Sequence, residues 1–178
     1  MLGMGGIVPI AGGPRFGITV ASSRPPMVVT PATRMDVMTS DTSLPLTGGC
    51  GCGAVRFEVD APLVGASYCH CTRCQHRTGT GAAVSARTEP GSLRIVAGED
   101  RQHAWSPGSG FDKVFCADCG SALFARSPDD PSIVAIRLGA FDADPGIRPT
   151  YRQFVAYAAS WEAIPDDGLP RFPERAPS

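Results

Sequence analysis

Three features are scarce in this sequence of 178 residues: long apolar runs, lysine and net charge. No run of about 18 or more apolar residues occurs, so the sequence predicts no membrane-spanning helix. Basic and acidic residues number 16 and 17, which leaves a net charge of −1 and no general attraction to nucleic acid or anionic lipid. We therefore expect neither a membrane nor a nucleic acid as a partner. Lys113 is the only lysine, and we attribute the excess of arginine to genome composition.

Residues 1–45 lack a helical or strand-like period of apolar residues, because glycine and proline interrupt them throughout. They also lack a basic start followed by an unbroken apolar segment, which a secretory signal peptide requires. We expect a disordered extension, or residues upstream of the natural start, since Met35 and Met38 stand just before the patterned region. Without a secretion signal, the predicted location is the cytoplasm.

Residues 46–165 predict one mainly β domain, because short apolar runs alternate with glycine, proline and aspartate. The clearest strand is 54–59, where apolar and charged side chains alternate. Further strands are predicted at 82–87, 92–96, 102–105, 113–115, 122–125, 133–138 and 153–157. Helix signals are confined to 72–78 and a turn near 161–164. Residues 166–178 are expected to wrap the surface or fray as a C-terminal tail.

The chemistry of this domain is concentrated in its seven cysteines, none of which lies in residues 1–45. They form three clusters: Cys50-Gly-Cys52, then Cys69-His70-Cys71-Thr72-Arg73-Cys74, then Cys116-Ala117-Asp118-Cys119. The second and third clusters each contain a C-x-x-C turn, in which two thiolates converge on one ion while backbone N–H groups stabilise their charge. Gly120 follows the last cysteine and lets that turn close.

Three other uses of cysteine compete with zinc binding. A disulfide framework fits poorly, because the count is odd and a reducing cytosol keeps thiols free. A thioredoxin-like redox pair opens a helix in a βαβ unit, and no such pattern surrounds either C-x-x-C turn. Iron–sulfur ligation uses the same ligand type, but the spacings match neither ferredoxin pattern. Zinc is therefore the predicted metal.

Seven thiolates divide naturally into four and three. Two pairs from distant parts of the chain can form one closed, structural zinc site that joins the two halves of the domain. Its predicted ligands are Cys50, Cys52, Cys116 and Cys119. The remaining cluster offers three thiolates and no fourth cysteine. Catalytic zinc is bound in this way, with one position open, and we expect a labile metal here. Its predicted ligands, which are also the predicted catalytic residues, are Cys69, Cys71 and Cys74.

A fourth ligand from histidine is the alternative for the three-cysteine site. His70 and His76 are the nearest candidates. His70 lies between two of the cysteines, where we expect its side chain to point away from the metal. A supporting or solvated role is favoured for both histidines. His103 stands in a strand-like run and is predicted to be a surface or packed residue.

The motifs around the cysteines resemble those of one known family. They read Gly48-Gly49-Cys50-Gly51-Cys52-Gly53-Ala54-Val55-Arg56-Phe57, then Cys69-His70-Cys71-Thr72-Arg73-Cys74, then Phe115-Cys116-Ala117-Asp118-Cys119-Gly120-Ser121. Their order, spacing and number resemble the pattern of the glutathione-dependent formaldehyde-activating enzyme family, also called the centromere protein V family. The resemblance extends to Trp161 and to Leu169-Pro170-Arg171-Phe172, and it covers roughly residues 46–174.

The resemblance implies a fold similar to that of Mss4-type proteins, with several small antiparallel sheets stapled by zinc. It also implies one structural zinc on the four cysteines and one catalytic zinc on the three cysteines assigned above. Family members with assigned chemistry join formaldehyde to glutathione, giving S-hydroxymethylglutathione. By resemblance, this protein is expected to be a carbon–sulfur lyase or synthase that adds a small thiol, with glutathione as one candidate, to an aldehyde.

Glutathione carries two carboxylates, so its site should offer arginine forks near the metal. Arg73 and Arg77 beside the three-cysteine cluster are the predicted cofactor-binding residues, and solvated surface charges are the alternative for both. A non-catalytic, zinc-stabilised binding module is the alternative function, because fold does not fix function. Methionine sulfoxide reduction is disfavoured, because it needs a redox cysteine beyond the seven already assigned to metal.

Overall fold

The structure is a computed structural model that describes residues 43–177. The predicted extension, residues 1–45, therefore lies outside the described residues except for 43–45. Two β-sheets, one α-helix and three short 3-10 helices form the described part of the chain. The prediction of a mainly β protein is confirmed.

The smaller sheet has three antiparallel strands. Its order is β1 (Leu46–Gly49), β2 (Arg56–Val59) and β5 (Leu93–Ala97). Strand β2 shows the predicted alternation, since Phe57 and Val59 are fully buried while their neighbours are partly exposed. Such a strand presents one apolar face, which the rest of the domain must cover.

The larger sheet has seven strands and is antiparallel except at one edge. Its order is β10 (Arg152–Gln153), β3 (Gly65–Cys69), β4 (Ala83–Arg87), β9 (Val134–Arg137), β8 (Ala122–Arg126), β7 (Asp112–Cys116) and β6 (Gln102–Trp105). The edge strand β10 runs parallel to β3. The described residues therefore form two sheets, one of them large and mixed, where the resemblance implied several small antiparallel ones. The likeness to Mss4-type proteins stays a prediction.

The hydrophobic core lies between the two sheets. Its largest fully buried side chains come from both sheets, with Phe57 on the smaller one and Leu123 and Ile136 on the larger. Phe57 also meets Phe141 edge to face, with ring centroids 5.6 Å apart. Burying an aromatic or aliphatic side chain of this size stabilises a fold by about 1.5–3 kcal/mol. The two sheets thus depend on each other for burial.

The two faces of the larger sheet differ in chemistry. Val114, Phe124 and Ile136 occupy neighbouring register positions on three adjacent strands and point into the core. The next side chain along a strand points to the opposite face. That second face carries Lys113 on β7 and Arg137 on β9. One face of the sheet is therefore apolar and lines the core, and the other carries charged side chains.

Helix α1 (Thr72–Thr78) packs on the charged face of the larger sheet. The guanidinium of Arg77 on this helix lies 4.6 Å from the centroid of the Phe115 ring on β7. The helix ends at Gly79, which adopts the left-handed conformation that lets the chain turn away. The predicted helix at 72–78 is confirmed. Among the described residues, no helix combines the length and the apolar composition needed to cross a membrane.

Sequence patterns mispredict the chain where residues are small or the backbone is unusual. They do not predict β1 or β3, because glycine hides the alternation in β1, and glycine, serine and cysteine hide it in β3. The strand predicted at 153–157 is wrong beyond Gln153, because Phe154 adopts a left-handed backbone with φ of 58° and Val155–Tyr157 forms a 3-10 helix. The other 3-10 helices span Glu99–Arg101 and Leu138–Ala140. No helix forms at 161–164.

Part of the predicted tail lies against strand β10. The N–H of Arg152 donates to the Pro170 carbonyl at 2.9 Å, and the N–H of Phe172 donates back to the Arg152 carbonyl at 2.8 Å. Phe172 also meets Tyr151 edge to face, with centroids 5.9 Å apart. Here the tail covers the surface beside β3, the strand that ends at Cys69.

Gly48 in β1 tests how tightly the two sheets pack. A Cβ at this position would overlap the Phe57 ring and the Ala140 carbonyl oxygen. We expect Gly48→Ala to lower the free energy of unfolding by about 1–3 kcal/mol, measured by urea denaturation of metal-loaded protein. Gly65→Ala in β3 is the matched control, since its Cβ would meet no atom within 4 Å, and it should change stability by at most about 0.5 kcal/mol. Equal losses in both variants would contradict this packing.

Candidate metal centres and the adjoining cavity

Two sets of cysteine sulfurs converge in the structure, and they have the membership that the sequence predicts. Within each set, the sulfurs all lie within 4.8 Å of one another. The four-thiol set is Cys50, Cys52, Cys116 and Cys119. The three-thiol set is Cys69, Cys71 and Cys74. Each set could hold a metal ion.

The four-thiol set lies where turns from the two sheets meet. The turn after β1 supplies the first pair of sulfurs, and the end of β7 with its following turn supplies the second. Each turn closes on a glycine in the left-handed conformation, Gly53 and Gly120. Their N–H groups donate to the carbonyls of Cys50 and Cys116 at 3.1 and 2.9 Å. A metal bound here would join the smaller sheet to the larger one.

Hydrogen bonds prepare two members of the four-thiol set to ionise. Burial opposes ionisation of Cys50, but the N–H of Val55, 3.2 Å from the sulfur, and the neighbouring thiols outweigh it and lower its pKa. The hydroxyl of Ser121 lies 3.1 Å from the Cys119 sulfur and is the main reason that the pKa of Cys119 falls to about 6. Thiolates rather than thiols bind metals, so these contacts favour ligation.

The three-thiol set lies where β3 passes into α1. Cys69 ends the strand, Cys71 caps the helix and Cys74 stands in its first turn. The extended backbone of Cys71 directs its sulfur back to accept a hydrogen bond from the N–H of Cys74 at 3.4 Å. All three sulfurs therefore come from six consecutive residues, and this set does not bridge the sheets.

Hydrogen bonds within the three-thiol set favour one thiolate. The Cys69 thiol donates to the Cys71 sulfur across 3.6 Å, and this bond, with a second from Cys74, lowers the pKa of Cys71 to about 2. The positive charge of Arg73 acts in the same direction. Donation to Cys71 raises the pKa of Cys69, because that thiol must keep its proton. The set thus concentrates negative charge on Cys71.

The separations between sulfurs fit a metal with thiolate ligands. Tetrahedral zinc binds sulfur at about 2.3 Å, which places two ligand sulfurs about 3.8 Å apart. The sulfur of Cys52 lies 3.4 Å from that of Cys50 and 3.8 Å from that of Cys116. Those of Cys69 and Cys71 are 3.6 Å apart. Four sulfurs complete such a tetrahedron, whereas three leave one position for another ligand.

The two arginines predicted to bind a cofactor occupy different places. Arg73 extends from α1 and donates to the Ser109 carbonyl at 2.8 Å and to the Ser109 hydroxyl at 3.2 Å. Arg77 lies over the Phe115 ring, and its buried Nε has no hydrogen-bond partner among the described residues. Arg73 borders the cavity that opens at Cys71, whereas Arg77 does not.

The structure places neither His70 nor His76 in a thiol set. His70 points to the opposite side of the chain from its two cysteine neighbours, as the sequence predicts, and it is buried there. Burial, together with the charge of Arg152, lowers the pKa of His70. His76 is exposed on α1, and His103 on edge strand β6 is exposed with its ring 6.0 Å from that of Phe115.

Sequence patterns do not single out two cations that lie near the three-thiol set. Lys113 is only 9% exposed, and burial lowers its pKa while the charges of Cys74 and Cys71 oppose that effect. Arg137 donates to the Ser85 hydroxyl at 2.7 Å. Neither cation forms an ion pair with a carboxylate among the described residues. The available signal was that the only lysine falls inside a predicted strand.

A cavity of about 470 Å³ opens beside Cys71. The residues that line it come from α1, from the loop before β7 and from the C-terminal part of the chain. They are Cys71, Thr72, Arg73, Ser109, Gly110, Phe154, Tyr157, Glu174 and Arg175. The cavity therefore offers both charges and an aromatic wall next to the three-thiol set.

Gln75 joins helix α1 to the wall of this cavity. Its amide nitrogen donates to the His70 carbonyl at 2.6 Å and to the Tyr157 carbonyl at 2.7 Å. The Tyr157 hydroxyl in turn donates to Glu174 at 2.8 Å. The left-handed backbone of Phe154 turns the chain into this wall. These contacts hold residues far apart in sequence around one space.

Comparison with known proteins places this arrangement in a family. The sequence pattern of the glutathione-dependent formaldehyde-activating enzyme family matches residues 45–157, which contain all seven cysteines. The chain belongs to this family. The membership expected from the cysteine motifs is thereby confirmed.

One relative of this chain comes from Halomonas elongata and is named "Putative glutathione-dependent formaldehyde-activating enzyme". It is 31% identical over 108 residues, which cover 56% of this chain and 67% of the relative. A crystal structure of a Rhodobacter sphaeroides protein is similar with a TM-score of 0.47 and 22% sequence identity. That similarity covers 71% of this chain and 99% of the crystallised one.

Substitution of one cysteine in each set tests what the two sets connect. In zinc-loaded protein we expect elemental analysis to give one metal less for Cys52→Ser and one metal less for Cys71→Ser. Cys52→Ser should also lower the free energy of unfolding by about 2–5 kcal/mol, because it removes a cross-link between distant segments. Cys71→Ser should lower the free energy of unfolding by clearly less, because the three-thiol set lies within six consecutive residues. Unchanged metal content in Cys71→Ser would show that the three-thiol set holds no metal.

Proposed function

We propose that the protein adds a small thiol, with glutathione as the first candidate, to formaldehyde, and so acts as a carbon–sulfur lyase or synthase. One observation carries this proposal: three thiols converge with no fourth ligand group beside them among residues 43–177, and one of them, Cys71, lines a cavity of about 470 Å³. Membership of the formaldehyde-activating family and the name of the Halomonas relative support it.

Zinc suits both thiol sets by donor type and by sulfur separation. We propose a structural zinc in the four-thiol set and a catalytic, labile zinc in the three-thiol set. Zinc in the second set would supply the charge that ionises an incoming thiol at neutral pH, where a free thiol with a pKa of about 8.5 is mostly protonated. All seven cysteines are free thiols, which suits a reducing compartment, and we propose the cytoplasm.

The cations around the three-thiol set suit a site that gains negative charge. Three protein thiolates and one divalent metal sum to 2 − 3 = −1. A substrate thiol bound as an anion would bring the charge of the site to −2. Lys113, Arg77 and Arg137 lie on this side of the sheet without carboxylate partners among the described residues. Their positive charge lowers the cost of that anion. For Arg77 we therefore propose charge compensation rather than contact with a substrate carboxylate.

The charged lining of the cavity suits a peptide-like thiol. Glutathione carries two carboxylates and one ammonium group. Arg73 and Arg175 line the cavity and can each receive a carboxylate, while Glu174 can accept a hydrogen bond from the ammonium. Arg73 is already oriented by its two hydrogen bonds to Ser109, so less side-chain entropy is lost on binding.

The proposed reaction needs neither an oxidant nor a reductant. The thiol sulfur forms a bond to the carbonyl carbon of formaldehyde, and the π electron pair of the carbonyl moves to its oxygen. The proton lost by the thiol ends on that oxygen, so the product is the S-hydroxymethyl thiol. The chain contributes by holding the thiol at Cys71 with its carboxylates fixed, which replaces a bimolecular encounter by an oriented one.

Exchange spectroscopy with ¹³C-labelled formaldehyde and glutathione tests the proposed function. We expect zinc-loaded protein to speed formation of the adduct at least about tenfold above the spontaneous reaction, and Cys71→Ser to return the rate to that background. Circular dichroism of Cys71→Ser should show that the fold is kept. A zinc-loaded wild type that does not accelerate the exchange would contradict the proposal and favour the non-catalytic binding module.

Arg73→Ala tests the assignment of a substrate carboxylate. We expect KM for glutathione to rise about tenfold with kcat little changed, because a charge-assisted hydrogen bond to a bound carboxylate is lost in ground and transition states alike. Arg94→Ala is the matched control, since Arg94 lies on the smaller sheet and pairs with Glu58 and Asp60 at the surface. An unchanged KM in Arg73→Ala would remove the carboxylate role.

A further inference from the structure

A second cavity, of about 240 Å³, lies on the opposite side of β3 from the three-thiol set. Alternation along the chain explains its position, because Tyr68 and His70 point one way while Cys69 and Cys71 point the other. Its floor is the Tyr68 ring, with the Arg152 guanidinium stacked 4.1 Å from the ring centroid. Residues 80–82 form one wall, and residues 159 and 162–165 form the roof.

Two buried nitrogen atoms in this cavity lack hydrogen-bond partners. His70 is 5% exposed and Arg152 is 4% exposed. One terminal nitrogen of Arg152 donates to Asp167 at 2.6 Å, but its Nε has no partner among the described residues. The Nε2 atom of His70 has none either. Buried polar atoms are nearly always paired, so both nitrogens point to a polar ligand.

Glu162 brings a carboxylate to the roof of the same cavity. This carboxylate occupies the space that a Cβ at Gly81 would fill, so the glycine permits the close approach. Glu162 is exposed at the mouth of the cavity, and it forms no ion pair with the residues that the structure describes. Arg152, its partner Asp167 and Glu162 sum to 1 − 2 = −1. That charge disfavours a simple anion and leaves Glu162 available for a cationic group.

We propose that this cavity binds a small free amino acid as its zwitterion. The Arg152 Nε–H donates to the carboxylate, and the Glu162 carboxylate accepts from the ammonium group. The Nε2 atom of His70 forms the third hydrogen bond. In one tautomer it accepts this bond from the ammonium group, and in the other it donates it to the carboxylate. A volume of about 240 Å³ suits an amino acid with a short side chain rather than a peptide.

Calorimetric titration of the zinc-loaded full chain tests this site. The probes are glycine, L-alanine and L-serine. Acetate and methylammonium serve as half-ligands, because each carries only one of the two charged groups of an amino acid. We expect saturable binding of at least one amino acid with a Kd of about 1 mM or tighter, and each half-ligand at least about tenfold weaker. The imidazole signals of His70 should shift in NMR spectra during the same titration.

Two variants locate the binding in this cavity. Glu162→Gln should weaken amino-acid binding about tenfold, because it removes the charge that faces the ammonium. Gly81→Ala should weaken it similarly, because the new Cβ displaces the Glu162 carboxylate. Glu89→Gln is the matched control, since Glu89 is exposed in the turn before β5, and it should bind as the wild type does.

Three results would overturn the proposal. The first is no saturable binding of any probe up to about 50 mM, which would mean that water fills the cavity. The second is acetate binding as tightly as the amino acids, and the third is amino-acid binding that Glu162→Gln does not weaken. The titration does not depend on thiol or formaldehyde chemistry. Its failure would therefore leave the proposed function untouched, and failure of the formaldehyde exchange would leave this site untouched.

Discussion

Successive side chains along a strand point to opposite faces, and on the larger sheet this constraint separates the core from the chemistry. On β7, Val114 enters the core while Lys113 faces helix α1. At the end of β3, Cys69 belongs to the three-thiol set while Tyr68 lies in the second cavity. A slip of one residue in register would exchange these faces and place a lysine in the apolar core, so the core packing and the two sites require the same register.

The two thiol sets differ in how much of the chain each would constrain. Cys52 and Cys116 are 64 residues apart; Cys52 lies in the turn after β1 of the smaller sheet, and Cys116 ends β7 of the larger sheet. A metal that joins them closes a long loop and removes many conformations from the unfolded chain, so it stabilises the fold. Cys69 and Cys74 are five residues apart in the sequence, and neither belongs to the core cluster between the sheets, so we expect loss of a metal there to leave the core contacts intact. This difference suits a structural role for the first set and a role open to ligand exchange for the second.

Local chemistry could be predicted from the sequence, whereas distant assembly could not. The cysteine sets are visible because each pair of ligands is close in the chain and the residue type is rare. Strand β2 is visible because its apolar and charged residues alternate, whereas β3 is hidden by its glycine, alanine and serine. Lys113 gives no periodic signal as a single residue. The cavity walls depend on the left-handed Phe154 and on Glu174, which meet α1 only through tertiary folding.

The cations on the α1 side of the larger sheet and the three-thiol set act on each other's ionisation. Removing Lys113 and Arg77 from water is costly, and burial lowers the pKa of both. The negative groups that act on Lys113 are the sulfurs of Cys74 and Cys71. The hydrogen bond from Cys69 and the charge of Arg137 favour ionisation of Cys74, but its bond to Cys71, burial and the charge of Cys71 outweigh them and raise its pKa. Carboxylates would pair with these cations permanently and cancel their charge. Thiolates would balance that charge only in part, which fits the proposed binding of a further anion on the side of the sheet that faces α1.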